Sequence, residues 1–364
     1  MSADIQDPVV SARQAGLRYW QAEATGIRRM KVGGSFRYVT AAGKKVSADQ
    51  LARIKALVIP PAWERVSICP YENGHIQAIG YDARGRKQYR YHTKWREARD
   101  EDKYERLIEF VRVLPKLRRT VDRHLRLPGM PREKVLAAVV KLLETTLIRV
   151  GNDQYAKENQ SYGLTTLRNH HVKVSAGRSR FRFRGKSGVD HAIDLQDKRL
   201  AKIIRRCQEL PGEELFAYED DDGVAHDIGS ADVNGYLQEI TGQPVTAKDF
   251  RTWAGTVLAA TALKAFETVD SDAGRKKNVV AAIESVAKRL GNTKAVCRKC
   301  YVHPVVINSY LDGSLAESLS DKASTEIARG LKNLPADEAA VLVLLQNRLK
   351  AATKRSSKKL RPAA

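Results

Sequence analysis

The sequence predicts an α+β fold, in which a small antiparallel β-rich domain over residues 1–98 precedes a larger, mainly α-helical domain over residues 99–364. Short segments of alternating polarity, separated by turn signals, fill most of the first hundred residues, which is typical of strands. After about residue 98 the apolar residues recur at helical spacing. A chain of 364 residues is long enough to bury a core in each of two or three domains.

Two hairpins are predicted in the first domain. The first turns at Gly33 and Gly34, and the second turns over residues 82–85, which end in glycine. Short glycine-containing turns between alternating segments indicate hairpins. The predicted strands are residues 27–32 with 36–40, and residues 76–81 with 88–92.

Helices are predicted from caps and from apolar spacing. Ser47 is a suitable N-cap for a helix over residues 48–59, which the prolines at 60–61 would stop. Pro131 opens a segment in which apolar residues form one helical face; these are Leu136, Val139, Val140, Leu143 and Leu147. Further helices are expected at about residues 197–209, 247–266, 275–290 and 336–352, with a strand interlude at about 171–195 and a basic tail at 354–361.

The charge of the chain predicts a polyanionic partner. Lys and Arg number 64 against 42 Asp and Glu, which gives a formal net charge of +22 and a pI near 9.9. Nucleic acid is the partner that such a surplus favours. Membrane binding is disfavoured, because no apolar run approaches the ~20 residues of a spanning helix and the N-terminus lacks the regions of a signal peptide. We therefore expect a soluble, cytoplasmic protein, associated with the nucleoid if it is bacterial.

The cysteines and acidic residues do not predict a metal site. Four cysteines are too few and too scattered for a disulfide scaffold. Cys297 and Cys300 form a C-x-x-C pair near His303, but no second pair supplies the remaining ligands of a structural zinc site, so two small apolar side chains are favoured over zinc or redox chemistry. The acidic cluster at residues 219–222 lacks the alternating ligands of a calcium loop and is interpreted as a solvated turn.

A row of cations is predicted on one face of a strand in the interlude. Alternate side chains of a strand point to opposite faces, so the basic residues would share one face while Phe181 and Phe183 pack on the other. The row could follow a nucleic-acid backbone, or it could be the charged edge of an ordinary sheet. Its members are Arg178, Arg180, Arg182, Arg184 and Lys186.

The second hairpin carries residues suited to reading DNA. Tyr89 and Tyr91 share one face of the strand, and Gln88 and Arg90 share the other, next to Lys87. Gln and Arg can hydrogen-bond base edges, and a two-stranded ribbon fits the major groove. Aromatic pairing within an ordinary sheet explains the tyrosines equally well.

One tyrosine lies among groups suited to holding a phosphate. Residues 290–301 end in Tyr301, and Arg251 lies upstream in Lys-Asp-Phe-Arg-Thr-Trp. A catalytic tyrosine needs cations and hydrogen-bond donors, because it is a weak nucleophile at its free pKa. By itself, Tyr301 could equally be a half-buried structural tyrosine, and Arg149, near the end of the helix from Pro131, could merely complement the helix dipole.

Taken together, these elements resemble the type IB DNA topoisomerases, specifically the compact branch of poxviruses and bacteria. The GRKQYRY hairpin is also similar to the DNA-reading strand of that family, so the resemblance covers about residues 27–305. Five motifs carry it: LIRVGN around Arg149, YGLTTLRNHHV at 162–172, FRGKSGVDH around Lys186, KDFRTW around Arg251, and LGNTKAVCRKCY ending at Tyr301.

The resemblance implies a catalytic fold, a mechanism and a mode of DNA binding. The fold would be a mainly helical domain containing a short three-stranded sheet, in a monomer that clamps around double-stranded DNA. Tyr301 would attack a phosphodiester to form a 3′-phosphotyrosyl link, while Arg149 and Arg251 hold the non-bridging oxygens and Lys186 protonates the leaving 5′-oxygen. Neither ATP nor another cofactor would be required, and no metal would be obligatory.

Asn292 departs from the family pattern, which often has His nine residues before the nucleophile. An amide can donate a hydrogen bond to a phosphate oxygen but cannot titrate. On one continuous helix, nine residues would separate Asn292 from Tyr301 by roughly 13 Å along the axis and place them on opposite faces. We therefore expect a break between them, with Gly291 ending one helix and Asn292 near the start of the next.

Two alternatives remain at this point. A tyrosine recombinase has a related catalytic domain, but Lys248 occupies the place where recombinases usually carry His, and the β-rich first domain differs from theirs. A catalytically silent DNA-binding protein would keep the basic row and tail. It would have no reason to keep Tyr301 together with Arg149, Lys186 and Arg251.

Overall fold

The computed structural model describes residues 7–21, 25–83, 85–266, 271–319 and 334–359. The chain divides into two compact units, Met1–Glu105 and Arg106–Ala364, and one long helix crosses this division. The domain boundary expected between residues 98 and 99 stays a prediction. The predicted fold class is confirmed, because an antiparallel five-stranded sheet is followed by a mostly helical remainder that contains a three-stranded sheet.

The first unit is built on an antiparallel sheet with strand order β2-β1-β3-β4-β5. The predicted first hairpin is confirmed: Val32 pairs with Ser35, and Gly33 and Gly34 have φ of +53° and +80°, as a tight two-residue turn requires. The second hairpin is also present, whereas the middle strand, β3, was not predicted. The strands are β1 (Ile27–Val32), β2 (Ser35–Val39), β3 (Glu64–Ile68), β4 (Ile76–Tyr81) and β5 (Lys87–Tyr91).

Two helices cover parts of this unit. Helix α1 (Pro8–Gln14) was not predicted. Helix α2 (Ala48–Ala56) begins at a capping box between Ser47 and Gln50, as its sequence predicts. It ends at Ala56 rather than at residue 59, because Val58 adopts a left-handed backbone (φ 47°) just after the C-cap at Leu57. One face of the sheet packs on α2 through a core of Ile27, Ile54, Val66, Ile68 and Ala78.

The second unit is mainly helical, as predicted. The helices expected around 197–209, 247–266, 275–290 and 336–352 are all present, and the last extends to Lys359, since the Lys- and Arg-rich start of the expected tail is compatible with a helix. Residues 360–361 of the tail lie outside the described residues. The helices are α3 (Thr93–His124), α4 (Arg132–Thr146), α5 (Asp153–Asn159), α6 (Lys198–Glu209), α7 (Ser230–Thr241), α8 (Ala247–Lys264), α9 (Asp272–Leu290), α10 (Lys294–Cys300), α11 (Pro304–Leu311), α12 (Leu315–Ser318) and α13 (Ala336–Lys359).

The strand interlude forms an antiparallel sheet of β6 (Val172–Ser175), β7 (Arg178–Arg184) and β8 (Asp190–Gln196). Exposure alternates along β7, so its arginines face solvent while Phe181 and Phe183 are buried. The alternation predicted for the basic row is therefore confirmed on this strand. Another hairpin in this unit, formed by β9 (Ala217–Glu219) and β10 (Ala225–Asp227), carries the acidic cluster in its turn.

Helix α4 is the central helix of the larger core. The apolar face predicted from Leu136 to Leu143 is buried. The prediction that the helix reaches Arg149 is wrong: Leu147 adopts a left-handed backbone (φ 58°, ψ 19°) and ends the helix, so Arg149 lies beyond it. Arg149 therefore cannot serve as a last-turn partner of the helix dipole.

In the described part of the chain, no helix is long and apolar enough to cross a membrane. The same residues include no group of three or more His, Cys, Asp and Glu side chains placed to hold a metal ion.

Candidate active site

The backbone that carries Arg149 is held by a second segment. Leu164 N–H donates to the Arg149 carbonyl at 2.8 Å, and Thr165 N–H donates to Val150 at 2.7 Å. Gly163 makes this close approach possible, because a Cβ there would lie 2.6 Å from the backbone of Gly151. Arg149 thus extends from a rigid loop that follows α4.

Arg251 lies on α8 and is only 3% exposed. Its Nη1 donates to the Leu147 carbonyl and its Nη2 to the Leu290 carbonyl at 2.7 Å, so the guanidinium joins the ends of α4 and α9. Burial, and then the charge of Arg149, lower the pKa of Arg251 to about 10, while Tyr301 acts in the opposite direction. Arg251 therefore remains a cation at neutral pH.

Asn292 lies in the break that its spacing predicts. Gly291 has a left-handed backbone (φ 59°) and ends α9, and Thr293 caps the next helix, α10. The Oδ1 of Asn292 accepts a hydrogen bond from Arg149, which also donates to the Gly291 carbonyl at 3.3 Å. The buried Nδ2 of Asn292 has no hydrogen-bond partner among the described residues. An amide in this state can donate to an incoming oxygen.

Tyr301 lies at the end of α10, against α8. The guanidinium carbon of Arg251 is 5.1 Å from the centroid of the Tyr301 ring. The Tyr301 backbone is held by Thr256, whose hydroxyl donates to its carbonyl at 3.4 Å. Gly255 permits the approach, since a Cβ there would lie 2.6 Å from that carbonyl oxygen. The nucleophile candidate and the buried arginine are thus fixed by the same helix.

Lys186 lies in the turn between β7 and β8 rather than on the strand, and it is exposed. The row of five cations predicted on one strand is therefore four arginines on β7 followed by a lysine in a turn. The Lys186 ammonium is 5.9 Å from the centroid of the Tyr155 ring. Gly185 and Gly188 lie on either side of Lys186, so the backbone of this turn can carry the lysine out of the plane of the sheet.

A cavity of about 500 Å³ brings four of the predicted catalytic residues together. Arg149, Lys186, Arg251 and Tyr301 all line it, and Asn292 reaches it through its hydrogen bond to Arg149. The rest of the lining consists of Val150, Gly151, Asn152, Tyr155, Ser161, Tyr162, Gly163, Ala247 and Lys248.

Sequence reasoning missed several residues of this cavity. Lys248 could have been assigned from its place three residues before Arg251, which was noted only as a difference from recombinases. Tyr155 carried no local signal of a site, and Tyr162 opens the motif at 162–172 but was assigned no role. His191 does not line the cavity but faces the turns that hold Lys186 and Asn292; it ends the FRGKSGVDH motif and was likewise assigned no role.

Cys297 and Cys300 lie on α10, shortly before the candidate nucleophile. Cys297 is buried, and burial raises the pKa of its thiol to about 11 against a smaller lowering by Arg251. A thiol with this pKa is protonated at neutral pH and is a poor nucleophile. Cys297 therefore acts here as a small apolar side chain.

The DNA-reading residues predicted on β5 divide between its two faces. Lys87, Tyr89 and Tyr91 are exposed, and the two tyrosine rings stack with centroids 5.7 Å apart. On the opposite face, Gln88 donates to Asp82 at 3.0 Å and Arg90 donates to a backbone carbonyl at 2.7 Å. Gln88 and Arg90 thus each make a hydrogen bond within the protein, and DNA reading by this strand stays a prediction.

Comparisons with known proteins agree with the fold and show the family of the chain. Residues 92–326 match the model of the eukaryotic DNA topoisomerase I catalytic core, and residues 35–82 match the N-terminal domain of bacterial DNA topoisomerase IB. The chain is similar to the DNA topoisomerase 1B of Acanthamoeba polyphaga mimivirus, at 34% identity over 78% of this chain and 87% of that protein. It is also similar to the DNA topoisomerase 1B of Vaccinia virus (strain Copenhagen), at 23% identity over 66% of this chain and 74% of that protein. The DNA topoisomerase 1 of Rabbit fibroma virus (strain Kasza) is 26% identical over 69% of this chain and 77% of its own length.

The catalytic-core match alone spans more than half of the chain, from residue 92 to residue 326. The chain belongs to the type IB DNA topoisomerase family. It is accordingly an isomerase of DNA topology, and the recombinase and the silent DNA-binding protein are not favoured.

Proposed function

We propose that the chain relaxes supercoiled duplex DNA by transient cleavage of one strand, with Tyr301 as the nucleophile. One observation carries the proposal: Tyr301 shares a single cavity with Arg149, Arg251 and Lys186. A phosphodiester in that cavity would meet two guanidinium forks, which match its non-bridging oxygens in geometry and charge.

The reaction is a transesterification that conserves bond energy. The Tyr301 hydroxyl gives up its proton to water and its oxygen bonds to phosphorus as the bond from phosphorus to the 5′-oxygen breaks, and Lys186 donates a proton to the leaving oxygen. Religation reverses both steps, because the 5′-hydroxyl attacks the phosphotyrosine. The phosphoester bond is exchanged rather than hydrolysed, so ATP is not needed.

The cations would also supply the charge stabilisation. Arg149, Arg251 and Lys186 can neutralise the negative charge on the phosphate oxygens, and the free amide N–H of Asn292 adds a neutral donor. We therefore propose that neither a metal ion nor another cofactor is required. Asn292 stabilises charge in this scheme and does not carry protons.

DNA binding would use both units. The arginines of β7 provide cations for the phosphate backbone, and the exposed Tyr89 and Tyr91 provide flat surfaces for contacts with the duplex. Since each unit has cationic or aromatic features and neither alone could encircle a duplex, we propose that a monomer clamps around double-stranded DNA. We place the protein in the cytoplasm, on the nucleoid if the cell is bacterial.

Relaxation of a supercoiled plasmid in EDTA, without ATP, tests the mechanism. The wild-type protein should relax the plasmid, and Tyr301→Phe should neither relax it nor form a covalent protein–DNA adduct. Tyr310→Phe is a suitable control, because Tyr310 bonds Asn278 outside the cavity lining. Relaxation that persists in Tyr301→Phe would remove Tyr301 from the nucleophile's role. A requirement for paired specific sites would instead favour a recombinase.

Crosslinking tests the clamp separately. A cysteine pair engineered across its opening should trap the protein on closed circular DNA and release it when the circle is linearised. Equal recovery from circular and linear DNA would mean that the crosslinked protein does not encircle the duplex.

A further inference from the structure

One histidine lies between the two turns that carry Lys186 and Asn292. A Cβ built on Gly185 would lie 2.6 Å from Cδ2 and Nε2 of His191, and one built on Gly291 would lie 2.8 Å from its Cε1. Gly185 immediately precedes Lys186, and Gly291 immediately precedes Asn292. The imidazole therefore separates two backbone segments, each adjacent to a residue of the proposed active site.

The ring is held firmly in this place. His191 is paired with Phe183 across β7 and β8, and the two rings stack with centroids 4.9 Å apart at 15°. Phe183 is itself buried at 6% exposure. The turn is closed by a hydrogen bond from Gly185 N–H to the Val189 carbonyl at 2.7 Å. A ring fixed by a buried partner can transmit position to the segments that it contacts.

The surroundings also keep the imidazole neutral. Burial lowers the pKa of His191, and the charges of Arg149 and Arg251 lower it further, against an opposing effect of Asp190. A neutral ring adds no charge to the phosphate site, and it can pack closely against the two glycines. Its contribution at neutral pH is therefore one of shape.

We propose that His191 is a positioning residue that sets the distance between the Lys186 turn and the Asn292 turn. Through these turns it aligns the proton donor with the groups that hold the phosphate. The inference rests on the proposed function, because it assigns His191 to the same site. It predicts that removing the His191 ring slows covalent cleavage by more than the loss of its packing contacts alone would.

The test compares His191→Ala with Ile193→Ala in single-turnover cleavage of a duplex. Ile193 lies on the same face of β8 as His191 and packs on the core, but unlike His191 it is not among the nearest neighbours of Gly185 or Gly291. His191→Ala should slow formation of the covalent adduct by about 10- to 100-fold, as small misplacements of reacting groups do, with DNA affinity unchanged. Ile193→Ala should lower the melting temperature and leave the cleavage rate within about threefold of wild type. Equal rates for the two variants would overturn the proposal.

A double mutant tests the spacing itself. Gly185 has φ of −96°, so alanine is allowed by the backbone there and its methyl would collide chiefly with His191. Gly185→Ala should slow cleavage. In the double mutant, His191→Ala removes the ring with which the new methyl collides, so the double mutant should cleave no more slowly than the slower of the two single mutants. Losses that multiply in the double mutant would mean that the two residues act independently.

Tyr301→Phe, measured in parallel, separates the two possible failures. If Tyr301→Phe still forms the adduct, the proposed function fails and His191 is not at issue. If Tyr301→Phe is inactive while His191→Ala cleaves like Ile193→Ala, only the role of His191 fails.

Discussion

Replacing Asn292 by aspartate and by leucine gives the sharpest test of how the phosphate is held. The amide oxygen of Asn292 already accepts from Arg149, while its buried Nδ2 lacks a partner among the described residues. Leucine removes the donor at similar volume. Aspartate removes the donor and also places a negative charge against Arg149, where it would compete with the phosphate.

The expected losses follow from these contacts. Removing one donor to a developing oxyanion costs about 10²- to 10³-fold in rate, which is the prediction for Asn292→Leu. For a separation of about 4 Å between the carboxylate of Asn292→Asp and a bound phosphate, two unit charges would repel by about 4 kcal/mol at an effective dielectric constant of about 20. That adds about three orders of magnitude. Asn292→Asp should therefore be slower than Asn292→Leu by roughly 10³-fold.

The assay is single-turnover formation of the covalent adduct on a duplex whose cleaved end dissociates. Asn278→Asp is the matched control, because it makes the same amide-to-carboxylate change at a half-buried site that bonds Tyr310. This control should cleave within about threefold of wild type, since its charge lies outside the cavity lining. If Asn292→Asp cleaves as fast as Asn292→Leu, residue 292 does not face the phosphate and the argument is refuted.

Three further predictions address the other groups. Lys186→Ala should lower the cleavage rate by about 10²- to 10⁴-fold. A substrate with sulfur at the 5′-bridging position should restore most of the lost rate, because a thiolate leaves without protonation. A loss that sulfur does not restore would exclude Lys186 as the acid. Arg251→Lys should lower the free energy of unfolding by about 1–3 kcal/mol, because lysine cannot bond both carbonyl acceptors, and should also slow cleavage measured well below the unfolding midpoint; an unchanged urea midpoint would contradict this. Burial, with Asp153 and Asp227, raises the pKa of Glu214 to about 7, so ionisation disfavours the folded state as pH rises from the unfolded value toward and past 7. Glu214→Gln should therefore raise the melting temperature at pH 8 and not at pH 4. Replacing the exposed Glu213 by Gln should not raise the melting temperature at either pH.

Local signals in the sequence predicted those parts of the fold whose cause is local. The hairpin at Gly33 and Gly34, the alternation along β7 and the break at Gly291 each depend on residues adjacent in sequence. The end of α4 could not be predicted in this way. The apolar spacing continues through Leu147, and its left-handed backbone belongs to a tertiary arrangement in which Arg251 bonds its carbonyl.

The candidate site likewise has residues that the sequence predicted and residues that it did not. The residues that should meet in one cavity were inferred from a resemblance over several motifs, because periodicity does not relate Arg149 to Tyr301. His191 ends the FRGKSGVDH motif, but the motif gave it no role, since its contacts with Gly185 and Gly291 exist only once two distant turns are packed together. Strand β3 was missed because its sequence offers only weak alternation between α2 and the second hairpin.

A comparison of two largely buried arginines shows what distinguishes a phosphate site from a structural ion pair. Arg118 bonds Glu144 at 2.6 Å and Glu338 at 2.8 Å; burial alone would lower its pKa, but these carboxylates outweigh that effect and raise it. Arg251 bonds the carbonyl groups of Leu147 and Leu290 and interacts with the Tyr301 side chain; burial and Arg149 lower its pKa, against an opposing effect of Tyr301. Carbonyl oxygens orient a guanidinium without neutralising it, so the positive charge of Arg251 is held in place at a cost in stability. An anion entering the cavity would offset that cost, which is a property that suits a site for a phosphodiester.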